Sequence, residues 1–199
     1  MTSTTESGLA KLISNFDRLT MSVVKIGEKY NPSNPDLTPV SLQKASAESR
    51  SAMDETANAS IVYRNAVKAR EKAFEPLGGF ATRLANTLKV SDKGGNSYEI
   101  AKTYLRKIQG RRAASKRTEA ELKADAEAGI VYKEVSASQM GYENMAENFG
   151  MLVKLVTSIP AYQPNEEDMK SVSLIKMHED LKSKNAAVVA ATTDLFKAR

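Results

Sequence analysis

His178 is the only histidine among 199 residues, and the chain has no cysteine. Thiolate nucleophiles, disulfides and Cys-ligated zinc are therefore excluded together. A metal or general-base role for His178 would need partners three or four residues away on the same helical face. Glu179 and Asp180 follow it directly, no HExxH pattern is present, and a seam-edge histidine is the better reading. Glu166, Glu167 and Asp168 form a run of carboxylates, but a first helical turn capped by Asn165 accounts for them through the helix dipole. Gly78-Gly79 and Gly94-Gly95 lack the Gly-Lys-Ser/Thr of a phosphate loop. Di-iron bundles need Glu-x-x-His pairs, which one histidine cannot supply. No catalytic residue, metal ligand or cofactor site is expected, and Asn58-Ala59-Ser60, a glycosylation pattern, falls inside a helix.

One cluster stands out. Between Tyr98 and Lys123 lie Lys102, Arg106, Lys107, Arg111, Arg112, Lys116, Arg117 and Lys123 against three glutamates, an excess equal to the whole chain's net charge of +5. The charge is local, and such a patch attracts phosphates, acidic proteins or anionic lipid heads in a salt-dependent way. Lys102, Arg106, Lys107, Arg111, Arg112, Lys116 and Arg117 are thus the candidate anion or nucleic-acid contacts. The competing reading, a solvated linker, is favoured because no nucleic-acid motif accompanies the run.

The elements that must position these residues are helical. Leu9, Leu12, Phe16, Leu19, Val23, Ile26 and Tyr30 recur in steps of three and four, a heptad-like stripe. Asn31 to Pro35 stops that helix, and Thr38-Pro39 caps a second one running to about Glu75 over a seam of small residues such as Ala45, Ser49 and Ala52. Leu77, Phe80, Leu84 and Leu88 predict a shorter helix, and Ile100, Ala101, Tyr104, Leu105 and Ile108 another, stopped by Gly110. Helical character resumes near Ser115 and extends to Ser158, with a kink expected at Gly129. A stripe of Ser138, Tyr142, Met145, Phe149, Leu152, Val156 and Ile159 marks its second half. A last helix is expected from about Glu166 through Leu174, Met177, Leu181, Val188, Ala191, Leu195 and Ala198.

The two ends of the chain repeat each other. Leu9, Leu12, Phe16, Leu19, Val23 and Ile26 match Tyr142, Met145, Phe149, Leu152, Val156 and Ile159 at an offset of 133. Tyr30, Pro32, Asp36, Leu37, Val40, Ser41, Leu42 and Lys44 match Tyr162, Pro164, Asp168, Met169, Val172, Ser173, Leu174 and Lys176 at an offset of 132. Lys68-Ala69-Arg70 returns as Lys197-Ala198-Arg199. Because the turn matches in register as well as the helices, the pattern reads as duplication of a helix–loop–helix hairpin. One hairpin cannot hide the apolar stripes of both its helices. The expected fold is therefore an all-α, elongated four-helix bundle of two hairpins, with two short helices inserted between them. Within this single helical domain, repeat 1 covers about 9–75, the helical insert and basic linker about 76–117, and repeat 2 about 118–199.

Tyr162-x-Pro164, Asp168-Met169, Val172-Ser173-Leu174 and the run Lys184-Asn185-Ala186-Ala187-Val188-Val189 resemble uncharacterised all-helical proteins common in Bacteroidota. The resemblance covers the two hairpins and implies a fold, with no activity attached. No run reaches the roughly 18 apolar residues of a membrane helix. Met1 to Gly8 has neither a basic leader nor an apolar core, so a cytoplasmic protein is expected. The functional expectation is a non-enzymatic scaffold or protein-interaction protein that binds a protein partner or itself. Its rivals are nucleic-acid or acidic-partner binding through 98–123, and a membrane-active bundle whose 186–191 run could insert.

Overall fold

The computed structural model describes residues 8–92, 95–111, 118–129 and 140–199, and all regular structure among them is helical. The α-helices are α1 (Leu9–Ile26), α2 (Pro39–Phe74), α3 (Leu77–Ser91), α4 (Ser97–Ile108), α5 (Glu119–Glu127), α6 (Tyr142–Thr157) and α7 (Ser171–Lys197). Short 3-10 turns at Pro35–Leu37 and Glu167–Met169 precede α2 and α7. The chain clusters into two compact units, one of Met1–Asn65 with Ala190–Arg199, the other of Ala66–Val189.

In the first unit, α1 stops at Gly27, whose φ of 65° suits a residue without a β-carbon. Its N–H closes on the Val24 carbonyl. The turn that follows is made by local polar bonds. Asn34 Oδ1 accepts from the Asp36 N–H at 2.9 Å, and Thr38 Oγ1 takes the Ser41 N–H at 3.4 Å as Pro39 opens α2. That is the expected cap with proline at the first helical position. At the far end Thr56 Oγ1 donates to the Ala198 carbonyl, tying α2 to the last turn of the chain.

The second unit holds the main hydrophobic core. Leu77, Ala81, Leu84 and Leu88 of α3, Ala101 and Ile108 of α4, Phe149, Leu152 and Val156 of α6, and Leu174 and Leu181 of α7 are buried together. Helix α4 packs against both α3 and α6. Gln109, just past α4, donates to the Gly78 carbonyl at 3.0 Å and the Thr82 hydroxyl at 2.8 Å, pinning that end of α4 to α3. Phe74 meets the Tyr142 ring edge-on at 4.9 Å, and the Arg70 guanidinium lies 4.2 Å from the same ring.

The short helices α3 and α4, expected as an insert between hairpins, supply seven of the buried residues of this core, and α4 packs against α6. Two expectations need correction. The helix expected from Ser115 to Ser158 is interrupted: α5 ends at Glu127, Gly129 has a φ of 73°, and α6 begins at Tyr142. The last α-helix begins at Ser171, and Glu167 and Asp168 fall in the first turn of the 3-10 segment before it, with Glu166 rather than Asn165 at the cap position. Arg83 of α3 reaches Glu166 at 2.6 Å and Asp168 at 3.2 Å, a long-range partner that no local pattern could reveal. Between them Tyr162 donates its hydroxyl to the Met169 carbonyl at 2.9 Å; burial first, then the Asp168 and Glu166 charges, push its pKa up to about 12.

Candidate functional site

The expected basic cluster falls partly outside the described residues, where Arg112, Lys116 and Arg117 lie. Those that are described do not share one face. Lys102 and Arg106 are one turn apart on one side of α4, Lys107 lies a residue step of about 100° away on the other, and Arg111 follows Gly110. Lys102 is 3.1 Å from Glu99 and 5.5 Å from the Tyr98 ring, on which Lys89 also sits at 5.1 Å. Arg106 and Lys107 are half-buried. The described cations therefore disperse around α4, where Lys102 is paired with Glu99.

His178 stands at a helix contact. Its ring lies 6.5 Å from that of Phe149 and against Gly150, and its Nε2 is buried with no partner. Burial, then Lys182, lower its pKa against the opposing pull of Glu147; Lys154 lowers it further and Glu179 raises it. The group most suited to proton transfer by type is thus enclosed in packing. Among the described residues no cluster of three or more His, Cys, Asp or Glu is placed to hold a metal ion, and no helix is long and apolar enough to cross a membrane.

What the structure does expose is one edge of the α1 face that the periodicity marked as core. The helix turns Ile13, Asp17, Thr20 and Val23 inward. Ile13 and Thr20 are each one residue past Leu12 and Leu19, so the buried face is displaced from the heptad stripe by less than one residue step. Leu12, Leu19 and Ile26 remain 66%, 57% and 51% exposed. Asp17 sets that rotation. Its carboxylate is buried and accepts hydrogen bonds from Ser46 Oγ and Arg50 Nη2 of α2. The Ser46 bond lowers its pKa more than burial raises it, and the Arg50 bond and charge add to the lowering. With Asp17 drawn onto α2, Leu12 and Leu19 come to the rim.

Beside that rim α1, α2 and the end of the chain form an apolar groove of about 490 Å3, lined by Leu9, Leu12 and Phe16 from α1, Ala52, Met53 and Thr56 from α2, and Ala198 and Arg199. At the offset of 133 read from the sequence, Leu19 corresponds to Leu152, which is fully buried against the α3–α4 core, and half-buried Phe16 to Phe149, which is fully buried. Val23 and Val156 are buried alike, and Met145 and Ile159, which correspond to Leu12 and Ile26, are partly buried. The stripes were legible in the sequence; how much of each a neighbour would cover was not.

No protein-family model matches the chain, and neither does any curated protein or solved structure.

Proposed function

We propose that this chain is a non-enzymatic helical interaction protein, built from a duplicated helix–turn–helix hairpin, whose first copy presents α1 as a docking face. The observation that carries the reading is the open stripe of Leu12, Leu19 and Ile26, whose counterparts Met145, Leu152 and Ile159 are partly, fully and partly buried in turn. Full burial of one such side chain is worth ~1.5–3 kcal/mol, so covering three half-exposed ones could sustain a specific contact. Duplication is supported by the matching turns as well as by the stripes. The 3-10 turns start at Pro35 and Glu167, and the helices after them at Pro39 and Ser171, each at the sequence offset of 132. It is this duplication, rather than the four-helix bundle expected from it, on which the docking reading rests.

The non-enzymatic part rests on chemistry. There is no thiol, the single imidazole is packed against a glycine, and the buried carboxylate of Asp17 is taken up by a clasp between helices. Nucleic-acid binding through 98–123 has weaker support, since the described cations divide over two sides of α4 and Lys102 is paired with Glu99.

Affinity capture from native lysate tests the reading with two baits, the natural chain and Leu12→Ser/Leu19→Ser. A partner held near stoichiometry by the first and lost by the second is expected. Retention of the same partners by both baits, with circular dichroism showing both folded, would overturn it.

A further inference from the structure

We infer that the cleft between α1 and α2 around Thr20 binds a small uncharged molecule, one with a hydroxyl or carboxamide head on a branched aliphatic body. The lining of this cleft shares no residue with the open stripe of Leu12, Leu19 and Ile26, so the inference is independent of the docking face.

Thr20 is only 5% exposed, and its Oγ1 is buried without a hydrogen-bond partner. A threonine inside a helix ordinarily settles such a hydroxyl by donating to the carbonyl one turn earlier. Thr56, Thr82, Thr87 and Thr103 all do so, at 2.9, 2.9, 3.1 and 3.3 Å. Thr20 leaves the carbonyl of Phe16, four residues before it, unused. It lines instead a cleft of about 410 Å3, inside the range of about 300–1,000 Å3 typical of small-molecule sites. A buried polar atom left open in this way costs stability until something meets it.

The polarity has no counterpart further along the chain. At the offset of 133 Asp17 and Thr20 correspond to Gly150 and Val153, and at 132 Gln43 corresponds to Ile175. Val153 is buried as Thr20 is, with no polar side-chain atom to satisfy. Helix packing alone therefore does not require a hydroxyl at this position. Asp17, Thr20 and Gln43 all line the cleft.

The charges beside Thr20 fix the charge of the ligand. Asp17 and Arg50 both line the cleft and bond each other, while Ser46 donates to the same carboxylate. An anion would face Asp17 and a cation would face Arg50, so either would lose hydration without gaining an open counter-charge. An uncharged head that both donates and accepts suits the Thr20 hydroxyl and the Gln43 amide. Met21, Val24 and Ala47 supply the apolar remainder of the lining. Met21 and Val24 are exposed, and a branched aliphatic body would cover methyl groups that now face water.

The test titrates the isotopically labelled full chain with four probes that share an isopropyl body: isobutyramide, isobutanol, isobutyrate and isobutylamine. At tens of millimolar, isobutyramide and isobutanol should shift the amide resonances of Thr20, Val24 and Ala47 and leave those of α6 in place. The two charged probes should bind about tenfold more weakly. Thr20→Val puts at this position the side chain that Val153 supplies at the aligned one, and should fold as the natural chain does. It should weaken both neutral probes about fivefold. Equal or tighter binding of a charged probe would overturn the inference, because the cleft would then select no uncharged head. Full affinity in Thr20→Val would overturn it too, since the hydroxyl would meet nothing. Absence of shifts at the cleft, or shifts spread evenly over the protein, would do the same.

Discussion

The imidazole of His178 lies directly against Gly150, so closely that a β-carbon there would stand 2.7 Å from Cε1. At the offsets of 133 and 132 read from the sequence, Asp17 corresponds to Gly150, Ser46 to His178 and Arg50 to Lys182. Asp17, Ser46 and Arg50 form a clasp between α1 and α2. Asp17 thus meets Ser46 through a hydrogen bond where Gly150 meets His178 through packing. Gly150→Ala should destabilise the protein by about 1–2 kcal/mol, because overpacking outweighs the helix propensity gained. In a His178→Ala background the same substitution should be neutral or stabilising. Denaturant titration of the four proteins checks this, and equal effects in the two backgrounds would remove the contact from the explanation.

His178 also predicts a pH response. Burial and Lys182 lower its folded pKa below the ordinary value of 6.5, with Lys154 acting in the same direction and Glu147 and Glu179 opposing. The unfolded chain then binds the proton more tightly than the folded one. Stability is full above the unfolded pKa and declines as pH falls from there through the depressed folded value. No other side chain of the protein has its ordinary pKa in that window, since the chain has one histidine and no cysteine. Thermal melts between about pH 7.5 and 5.5 should slope downward for the natural protein and flatten in His178→Gln.

How far the sequence reaches can be judged from these same residues. The helices were readable because apolar steps of three and four, with Pro39 and Gly110 as punctuation, act through local geometry. The core of the second copy, Phe149, Leu152 and Val156, was readable for the same reason. Periodicity gives the apolar arc of a helix and is silent on which edge of it a neighbour will cover. The rotation of α1 depends on Asp17 meeting Ser46 and Arg50, some thirty residues away, and the place of α3 and α4 at the centre of a core depends on packing. Arg83 gathering Glu166 and Asp168 is likewise non-local.

Asp17 should be worth more than its surface neighbours. Replacing it with Ala removes the acceptor for Ser46 and Arg50 and frees α1 to rotate its stripe toward α2. Hydrogen exchange should report faster opening of α1 amides in Asp17→Ala, with α6 unaffected. Because the folded pKa of Asp17 is depressed, its contribution is present above the usual carboxylate value of about 4 and is lost as pH falls through the lower folded value. Unchanged α1 protection in the variant would show that the clasp is incidental.

Asn185 is buried on α7 between Leu181 and Val188, and neither its Oδ1 nor its Nδ2 has a hydrogen-bond partner. A buried amide left in this state costs about 1–3 kcal/mol of desolvation. Asn185→Leu, similar in size and free of polar atoms, should raise the midpoint of unfolding. A lower midpoint would mean that the amide makes a contact on which α7 depends.

Leu19 and Leu152 give the sharpest contrast, since they align at the sequence offset of 133 and differ from 57% to 0% in exposure. Leu152→Ala empties part of a closed core and should cost about 2–5 kcal/mol, because the surrounding α3, α4 and α6 side chains relax only partly into the space. Leu19→Ala removes a side chain that already faces solvent and should change stability by no more than about 0.5 kcal/mol. Binding should reverse that order. Leu19→Ala should reduce the partner captured from native lysate several-fold, because its methyl groups would be covered in the complex. Leu152→Ala should leave that capture unchanged under conditions where the protein remains folded. Matched chemical-denaturation and capture series on these two variants separate a position that holds the fold from one held open for a partner. Equal stability losses would mean that the α1 stripe is already covered in the free protein.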